Sequence, residues 1–331
     1  MRVNIVTFNL ANTSEYLSAD STEVLQYDPD IHVEATQEDY RELNNNSIFG
    51  PVLTNAGYGL FEMTSLNDTP NSMNVVLRVY MKNKLLDIQN TNLVETGKKP
   101  LPTQDGLKGN LLLKAQQAIT GFSKGAIWIK VEKPVPILFI NVHLPILKKK
   151  GNLGLGFEFR AKKMIEVLNS DAIQDLISDD TTVFMTGDMN FRINPNHRNQ
   201  LTNLLTYIPS LKELPFINPE DRVITCKFEK GDSEECDEAR QTTPEESITM
   251  NKTCVNKKRI PSRCDRILYK LSPVLSMKVL QHKGANLYNK SDHNALFATV
   301  ELTEELRSRV VTRKRKNTLR KHTRKFYVHR K

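Results

Sequence analysis

The sequence lacks any apolar run long enough to cross a membrane, and its N-terminus does not have the pattern of a signal peptide. Polar residues interrupt the first ten positions, which alternate as a β-strand does, and no small-residue cleavage site follows them. Internal repeats are also absent. These features favour a globular protein, and 331 residues allow one large domain or two of average size.

Cysteine is scarce, and its four copies all lie between residues 226 and 264. They form no Cys-x-x-Cys pair, and no histidine stands at the usual zinc spacing from them. We therefore expect reduced thiols rather than a disulfide framework or a zinc site at Cys226, Cys236, Cys254 and Cys264. We accordingly predict an intracellular protein, either cytoplasmic or bound peripherally to a membrane.

Acidic residues are nearly missing from the C-terminal end. Residues 303–331 hold twelve Lys or Arg and two acids, a net charge of +10, whereas the whole chain carries +9, so residues 1–302 are almost neutral. We predict a folded domain over 1–302 and a disordered basic tail over 303–331. The tail suits an anionic membrane surface best, nucleic acid binding or nuclear targeting next, and solubility alone as the third alternative.

Strand-like segments outnumber helical ones. Some connections between them are too short for a β-α-β crossover, which favours mixed or antiparallel sheets with helices outside. The predicted strands are Val3–Asn9, Ile31–Ala35, Asn74–Tyr80, Leu85–Ile88, Ala126–Val131, Ile137–Val142, Ile267–Lys270, Val274–Leu280 and Ala295–Glu301. The predicted helices are Ser14–Gln26, Phe157–Leu176 and Gln200–Tyr207, and residues 229–257 have the composition of a long loop.

One segment carries more chemistry than the rest. The apolar residues 182–185 predict a buried strand, and they lead directly into Gly187-Asp188-Met189-Asn190. Asp188 and Asn190 are two residues apart, so on an extended backbone they point the same way. An anionic acceptor beside an amide donor can orient a water molecule toward phosphorus. A turn with an Asx cap is the alternative.

Polar residues recur at other predicted strand ends, where the carboxyl ends of strands commonly form a site. They are Asn9, Glu38, Asn141, His143, Asp265, Asp292 and His293. A carboxylate such as Glu38 with amide and acid neighbours suits Mg²⁺. Each residue alone has an ordinary structural alternative: a helix cap for Glu38, a core histidine for His143 and an N-cap for Asp292.

In this order the motifs resemble those of the endonuclease/exonuclease/phosphatase superfamily, which is DNase I-like, over about residues 1–302. The matching segments are Phe8-Asn9, Gln37-Glu38, Asn141-Val142-His143, Gly187-Asp188-Met189-Asn190 and Ser291-Asp292-His293. The resemblance implies an α+β fold with four α/β/β/α layers, in which helices flank two mixed β-sheets. It also implies that 1–302 is a catalytic domain.

Two longer segments resemble the inositol polyphosphate 5-phosphatase family. They are Gly187–Ile193, which includes Phe191-Arg192, and Pro261–Tyr269, which includes Cys264-Asp265-Arg266. Residues 257–261 and Thr120–Gly125 are similar to further motifs of that family. The sequence departs from the family pattern at Arg263 for Trp, Cys226 for Tyr and Ser123 for Asn. Pro145 also follows His143-Leu144 where that family tends to carry small residues and a second His.

The family resemblance implies a Mg²⁺-dependent phosphomonoesterase. Glu38 would be the main metal ligand, with Asn9 beside it and Asp292 nearby. Asp188 would orient and deprotonate the attacking water, and Asn190 would hold that water or a phosphoryl oxygen. His143 and His293 would donate to the scissile phosphate, and Asp265 would orient His293.

The implied substrate is phosphatidylinositol 4,5-bisphosphate or a related inositol polyphosphate, cleaved at the 5-phosphate by a monomeric enzyme. The residues assigned to substrate are Lys227, Lys257, Arg259, Asn141, Lys124 and Arg192. For Arg192 and Arg266 a structural ion pair is an equal alternative. An abasic-site endonuclease or other nuclease of the same superfamily is the main rival, followed by a pseudo-enzyme and a sphingomyelinase-like phosphodiesterase.

Overall fold

The computed structural model describes residues 1–11, 24–39, 47–67, 74–88, 94–101, 123–145, 153–191, 211–218, 225, 263–285, 287 and 291–305, with the backbone alone for 153–157. The strands are β1 (Arg2–Asn9), β2 (Ile31–Asp39), β3 (Tyr58–Ser65), β4 (Asn74–Lys82), β5 (Glu95–Pro100), β6 (Gly125–Val131), β7 (Ile137–His143), β8 (Thr182–Asp188), β9 (Lys212–Glu213), β10 (Asp265–Lys270), β11 (Leu275–Ala285) and β12 (Ala295–Glu304). The helices are α1 (Gly50–Asn55), α2 (Asn83–Leu86), α3 (Leu153–Leu168) and α4 (Asp171–Gln174).

The strands form two six-stranded sheets. The first has the order β11-β12-β1-β2-β4-β3 and the second has the order β5-β6-β7-β8-β10-β9. One pair in each sheet is parallel, β1 with β2 and β7 with β8, and the other pairs are antiparallel. The predicted fold of two mixed sheets is therefore confirmed.

Apolar side chains on alternate strand positions fill the space between the sheets. Ile5, Val33 and Val79 of the first sheet belong to the same buried cluster as Ile127 and Phe139 of the second. Fully burying a side chain of this size contributes roughly 1.5–3 kcal/mol. The two sheets are thus held face to face by their inner rows, and the polar ends of the strands are left at the rim.

The outer face of each sheet packs against helical or loop segments. Met164 and Val167 of α3 cluster with Leu138 and Ile140, which point outward from β7. On the first sheet, a separate cluster joins Val6, Phe8 and Phe297 to residues around α1. The layers therefore follow the order helix, sheet, sheet, helix.

The element predictions differ from the structure in several places. The helix predicted over Phe157–Leu176 is two helices, because Ser170 adopts an extended backbone between α3 and α4. Leu85–Ile88, predicted as a strand, begins inside helix α2, so that prediction is wrong. Strands β3, β5 and β9 were not predicted. Gln200–Tyr207, residues 229–257 and most of Ser14–Gln26 lie outside the described residues.

The cysteine prediction is wrong at Cys264, the one cysteine among the described residues. Its side chain is fully buried and its sulfur is in a disulfide bond. Sequence spacing could not show this, because a disulfide depends on which sulfurs meet in space. The main-chain carbonyl of Cys264 also accepts a 2.9 Å hydrogen bond from the Met189 N–H, which ties this cross-linked residue to the end of β8.

At the C-terminal end, β12 continues to Glu304, two residues past the predicted boundary at 302, and residues 306–331 lie outside the described part of the chain. Within the part of the chain that the structure describes, no helix has the length and apolar character needed to cross a membrane.

Candidate active site

The polar strand ends meet at one rim of the sandwich. Parallel neighbours contribute their last residues and antiparallel neighbours contribute their first ones, so the topology brings both sets to the same edge. The residues at this rim are Asn9 at the end of β1, Glu38 near the end of β2, His143 at the end of β7, Asp188 at the end of β8, Asp265 at the start of β10, and His293 just before β12.

Asp188 is at the centre of this group and is almost fully buried. Its Oδ2 accepts a 3.0 Å hydrogen bond from Asn9 Nδ2 and lies 3.3 Å from His143 Nε2 and 3.9 Å from His293 Nε2. Its Oδ1 accepts a 2.9 Å bond from the backbone N–H of Asn190. Both sheets therefore contribute to the environment of one carboxylate.

The backbone around Asp188 has a special conformation. Gly187 has φ +130°, and a Cβ there would overlap the carbonyl oxygen of Val142 on the neighbouring strand. Asn190 has φ +53°, a region that Asn tolerates better than most residues, and its Nδ2 donates to the Leu144 carbonyl at 2.9 Å. Gly187 thus allows β8 to approach β7 closely. The prediction that Asp188 and Asn190 point the same way on an extended backbone is wrong, because β8 ends at Asp188 and the Asn190 N–H bonds the Asp188 side chain, as in the alternative of an Asx turn.

Lys124 brings an ammonium group among the acids and the imidazole. Its Nζ lies 3.3 Å from Glu38 Oε1 and 3.2 Å from His143 Nδ1, and it also contacts His143 Nε2. Glu38 Oε1 is in turn 3.7 Å from His143 Nε2. A cation at this position can bind the oxygens of an incoming phosphate.

These contacts decide the protonation of the site. Burial alone would raise the pKa of Asp188, but the hydrogen bond with His143 and the charges of His293 and Lys124 lower it well below its usual value. Burial also tends to raise the pKa of Glu38, yet His143, Lys124 and His293 lower it. Burial and then Lys124 lower the pKa of His143. At neutral pH, Asp188 and Glu38 are therefore ionised and His143 is neutral.

His293 connects Asp188 to a second buried acid. Its Nδ1 is 2.8 Å from Asp265 Oδ2, which leaves Nε2 facing Asp188 and also 3.8 Å from Asp292 Oδ1. Burial raises the pKa of Asp265, against the opposing effect of His293. The contact between Asp265 and His293 Nδ1 is the one that orienting His293 toward Asp188 would require.

Two residues that belong to this network were given no role on the basis of the sequence. Ser291 Oγ donates to the Asn9 carbonyl at 2.7 Å and accepts from the His293 N–H at 3.1 Å, so it links β1 to the histidine. Thr225 Oγ1 accepts from the Asp265 N–H at 3.0 Å. Ser291 opens the Ser-Asp-His motif, which was a usable signal. Thr225 gave none beyond its place next to Cys226.

Glu38 and Asp292 are the partly exposed acids of the site, with side chains 22% and 20% exposed. Glu38 occupies a β-bulge between Gln37 and Asp39 and has φ +52°, which takes its side chain out of the regular pairing. Among the described residues no group of three or more His, Cys, Asp or Glu side chains is arranged to hold a metal ion. Mg²⁺ usually takes only one or two protein carboxylates and completes its shell with water and phosphate, so partly exposed carboxylates such as these have the ligand chemistry that it prefers.

The remaining predicted site residues divide into two groups. Asn141 lies two residues before His143, but its amide is engaged in the interior: Nδ2 donates to Thr36 O and Val76 O, and Oδ1 accepts from Gln37 Nε2. The residues Arg192, Lys227, Lys257 and Arg259 lie outside the described part of the chain.

Arg266 has a clear structural contact. Its Nη1 is 2.7 Å from Glu213 Oε1, an oxygen that Arg263 Nη2 also approaches to 2.7 Å. Arg263 lies over the ring of Phe216 at 4.5 Å, and that ring stacks on His282 at 3.8 Å. The structural alternative for Arg266, an ion pair, is thus present, and Arg263 packs over an aromatic ring beside it.

Comparisons with known proteins agree with this architecture. Cimex nitrophorin, in a ferrous NO complex, superposes with a TM-score of 0.55 at 15% identity, with 91% of this chain and 98% of that one covered. D. rerio TDP2 complexed with a single-strand DNA product gives a TM-score of 0.50 at 13% identity, with 91% and 99% covered. No curated protein matches by sequence. The model of Endonuclease/Exonuclease/phosphatase family 2 matches residues 7–299, and the chain belongs to this family, within a superfamily of hydrolases that generally use divalent metals.

Proposed function

We propose that this protein is a Mg²⁺-dependent phosphomonoesterase that removes the 5-phosphate from phosphatidylinositol 4,5-bisphosphate or a related inositol polyphosphate. The observation that supports it most is the position of Lys124. Its ammonium group lies within 3.3 Å of Glu38 and contacts His143, so a phosphate entering the site meets a cation beside a metal-binding carboxylate. The resemblance of the segment Pro261–Tyr269 to that of inositol polyphosphate 5-phosphatases is the reason for proposing inositol phosphates as the substrate class.

Asp188 would act on the attacking water. Its lowered pKa keeps it ionised, so it accepts a hydrogen bond from the water and aims the oxygen at phosphorus. A carboxylate with so low a pKa is a weak base, so we propose that orientation outweighs deprotonation before attack. Asn9, which donates to Asp188 Oδ2 at 3.0 Å, holds the carboxylate in that direction.

The imidazoles and Lys124 would stabilise the charge on the phosphoryl group. His143 and His293 can each donate an N–H to a phosphoryl oxygen, and His293 is directed by Asp265 at 2.8 Å. The bond from the water oxygen to phosphorus forms while the bond from phosphorus to the inositol oxygen breaks. Overall, one proton of the attacking water ends on the leaving inositol oxygen and the hydroxyl stays on the phosphate. Mg²⁺ held by Glu38 and Asp292 would supply Lewis-acid neutralisation of phosphate oxygens.

Lipid contact would come from the basic tail. Residues 312–331 contain ten Lys or Arg and no acid, and each basic residue near an anionic membrane contributes about 1 kcal/mol to binding. We propose that this segment brings the enzyme to a phosphoinositide-containing surface. Removing 312–331 should then lower the rate on lipid vesicles and leave the rate on a soluble headgroup unchanged. Equal losses on both substrates would contradict the membrane role.

The direct test measures phosphate release from phosphatidylinositol 4,5-bisphosphate vesicles and from inositol 1,4,5-trisphosphate, with and without Mg²⁺. Asp188→Asn should abolish most of the release, by roughly 10²–10⁴-fold. Asp180→Asn is the matched control, because Asp180 is exposed and precedes β8 at its opposite end. A duplex with an abasic site is incubated in parallel. Cleavage of the DNA without phosphate release would show that the protein is a nuclease and not a phosphatase.

A further inference from the structure

The inner face of β7 changes character along its length. Ile137 and Phe139 belong to the apolar cluster between the sheets, and the next two residues on the same face are Asn141 and His143. Asn141 is fully buried, so its amide lies between the sheets and not in the open site. An amide in this position needs hydrogen-bond partners, because an unpaired buried polar group is costly.

The partners of Asn141 all belong to the other sheet. Its Nδ2 donates to the main-chain carbonyls of Thr36 at 3.0 Å and of Val76 at 2.8 Å, and its Oδ1 accepts from Gln37 Nε2 at 2.7 Å. Thr36 and Val76 are opposite each other in the pairing of β2 with β4. One side chain of the second sheet is therefore bonded to two adjacent strands of the first.

These bonds use both amide hydrogens of Asn141 and occupy its oxygen. Donation to a phosphate oxygen of the substrate would therefore require breaking one of the two bonds from Nδ2. The bonds of Asn141 therefore favour a role in the interior over the predicted role in substrate binding.

The bonds lie immediately behind the proposed metal site. Glu38 follows Gln37 on the first sheet, and His143 follows Asn141 by two residues on the second. The Glu38 carboxylate and the His143 ring approach to 3.7 Å across the gap between the sheets. Asp188 pairs with His143 in the register of β7 with β8, so it moves with the second sheet.

We propose that Asn141 is a positioning residue that sets the distance between Glu38 on one sheet and His143 with Asp188 on the other. It does so by fixing the end of β2 against β7 just before the bulge that presents Glu38. The effect on Mg²⁺ follows from the proposed function, since it rests on Glu38 as the metal ligand. Outer residues that orient metal ligands commonly change metal affinity by about 10- to 100-fold when replaced.

The test measures Mg²⁺ binding to the substrate-free protein by calorimetry, so that it does not depend on the identity of the substrate. Asn141→Ala should weaken Mg²⁺ binding by about 10- to 100-fold. Gln37→Met keeps a side chain of similar volume but removes the hydrogen bond that Gln37 donates to Asn141 across the sheets. This variant should also weaken Mg²⁺ binding. Asn141→Ser, which keeps one donor, serves if the alanine variant does not fold. In turnover, kcat should fall while KM for the phosphate substrate changes little.

Asn4→Ala is the matched control. Asn4 is equally buried, donates to Thr299 Oγ1 at 2.8 Å and pairs with His32 at 2.9 Å, but it lies about 17 Å along β1 from Asn9. It should lose stability and keep its Mg²⁺ affinity. A similar loss of affinity in Asn4→Ala would show general loosening and overturn the proposal.

The remaining outcomes are also decisive. Unchanged Mg²⁺ affinity with a raised KM in Asn141→Ala would restore the substrate contact, and a wild-type protein that binds no Mg²⁺ would leave Asn141 with nothing to position. If the wild type releases no phosphate but binds Mg²⁺, and only the Asn141 and Gln37 variants weaken that binding, the positioning role stands and the phosphatase proposal falls.

Discussion

Asp188 and Asp265 lie opposite each other on the antiparallel strands β8 and β10, and His293 lies between their carboxylates. The environment shifts the pKa values of the two acids in opposite directions: burial raises that of Asp265, whereas His143 and the nearby cations lower that of Asp188 despite its burial. Two acids whose pKa values are shifted in opposite directions are suited to different tasks. Asp188 is available to a water molecule, and Asp265 directs the histidine.

Asp265→Asn should therefore lower kcat on the order of 10²–10⁴-fold, because an amide cannot hold the His293 N–H as a carboxylate does. Phosphate release under saturating Mg²⁺ gives the measurement. If Asp265 acts through His293, the same substitution should cost little more in a His293→Ala background. Full additivity of the two losses would mean that Asp265 has an independent role.

Gly187 and Gly57 provide a comparison of two residues with positive φ. Gly187 has φ +130°, and a Cβ there would overlap the Val142 carbonyl and lie 2.9 Å from Asn141 Oδ1, whereas Gly57 has φ +82° and open space around it. Gly187→Ala should destabilise by about 3 kcal/mol or more, since backbone strain and collision add. Gly57→Ala should cost only about 1–2 kcal/mol.

Urea unfolding of both glycine variants at one temperature separates these contributions. Equal losses in the two proteins would show that β8 can move away from β7 without difficulty. In that case the close approach of the two strands would not be what requires glycine at position 187.

A buried ion pair supports β2 near the site. Arg78 Nη1 is 2.9 Å from Glu34 Oε1, with side chains only 2% and 1% exposed, and Glu34 Oε2 accepts from the Ser47 hydroxyl and the Ile48 N–H. Arg78→Met would remove one partner of this buried ion pair while its carboxylate stays in place, and should cost about 3–5 kcal/mol. Denaturant unfolding measures the loss.

The matched control for the buried pair is Glu301→Gln. It removes the pair with Arg2, whose side chains are 43% and 34% exposed, and should cost less than about 1 kcal/mol. Similar losses at both sites would imply that water reaches Arg78 and screens its charge.

Several features of this site follow from local sequence. Asn9 ends a predicted strand, and His143 and Asp188 follow predicted strands within three residues; parallel pairing of β7 with β8 then brings these two together. Asp265 and His293 are likewise adjacent to predicted strands. For such residues, alternation and motif spacing are enough to predict the position in the fold, because the neighbouring residues form the strand at whose end the side chain lies.

Other features depend on contacts between distant residues. Strand β5, Glu95–Pro100, has no apolar alternation and forms by pairing with β6. The bulge at Glu38, the contact of Lys124 with it and the bonds of Asn141 across the sheets all join positions far apart in the chain. Propensity and periodicity describe one segment at a time, so they could not show which segments would meet.

Two buried histidines should make the stability depend on pH. Burial lowers the pKa of His32 to about 3, and burial followed by the charge of Arg263 lowers that of His282 to about 4. An unfolded histidine titrates near 6.5, so between these values the unfolded chain binds more protons than the folded one. The stabilisation is complete above pH 6.5 and is lost as the pH falls toward the folded values.

His32→Gln tests this dependence, because glutamine can still donate to Asn4 Oδ1 but does not titrate. The free energy of unfolding, measured from pH 4 to 5.5, should rise with pH less steeply in the variant, by about 1.4 kcal/mol per pH unit. The carboxylates are the same in both proteins, so the difference in slope reports His32 alone. Parallel curves would mean that His32 is protonated in the folded state, which its position between Phe49 and Tyr80 argues against.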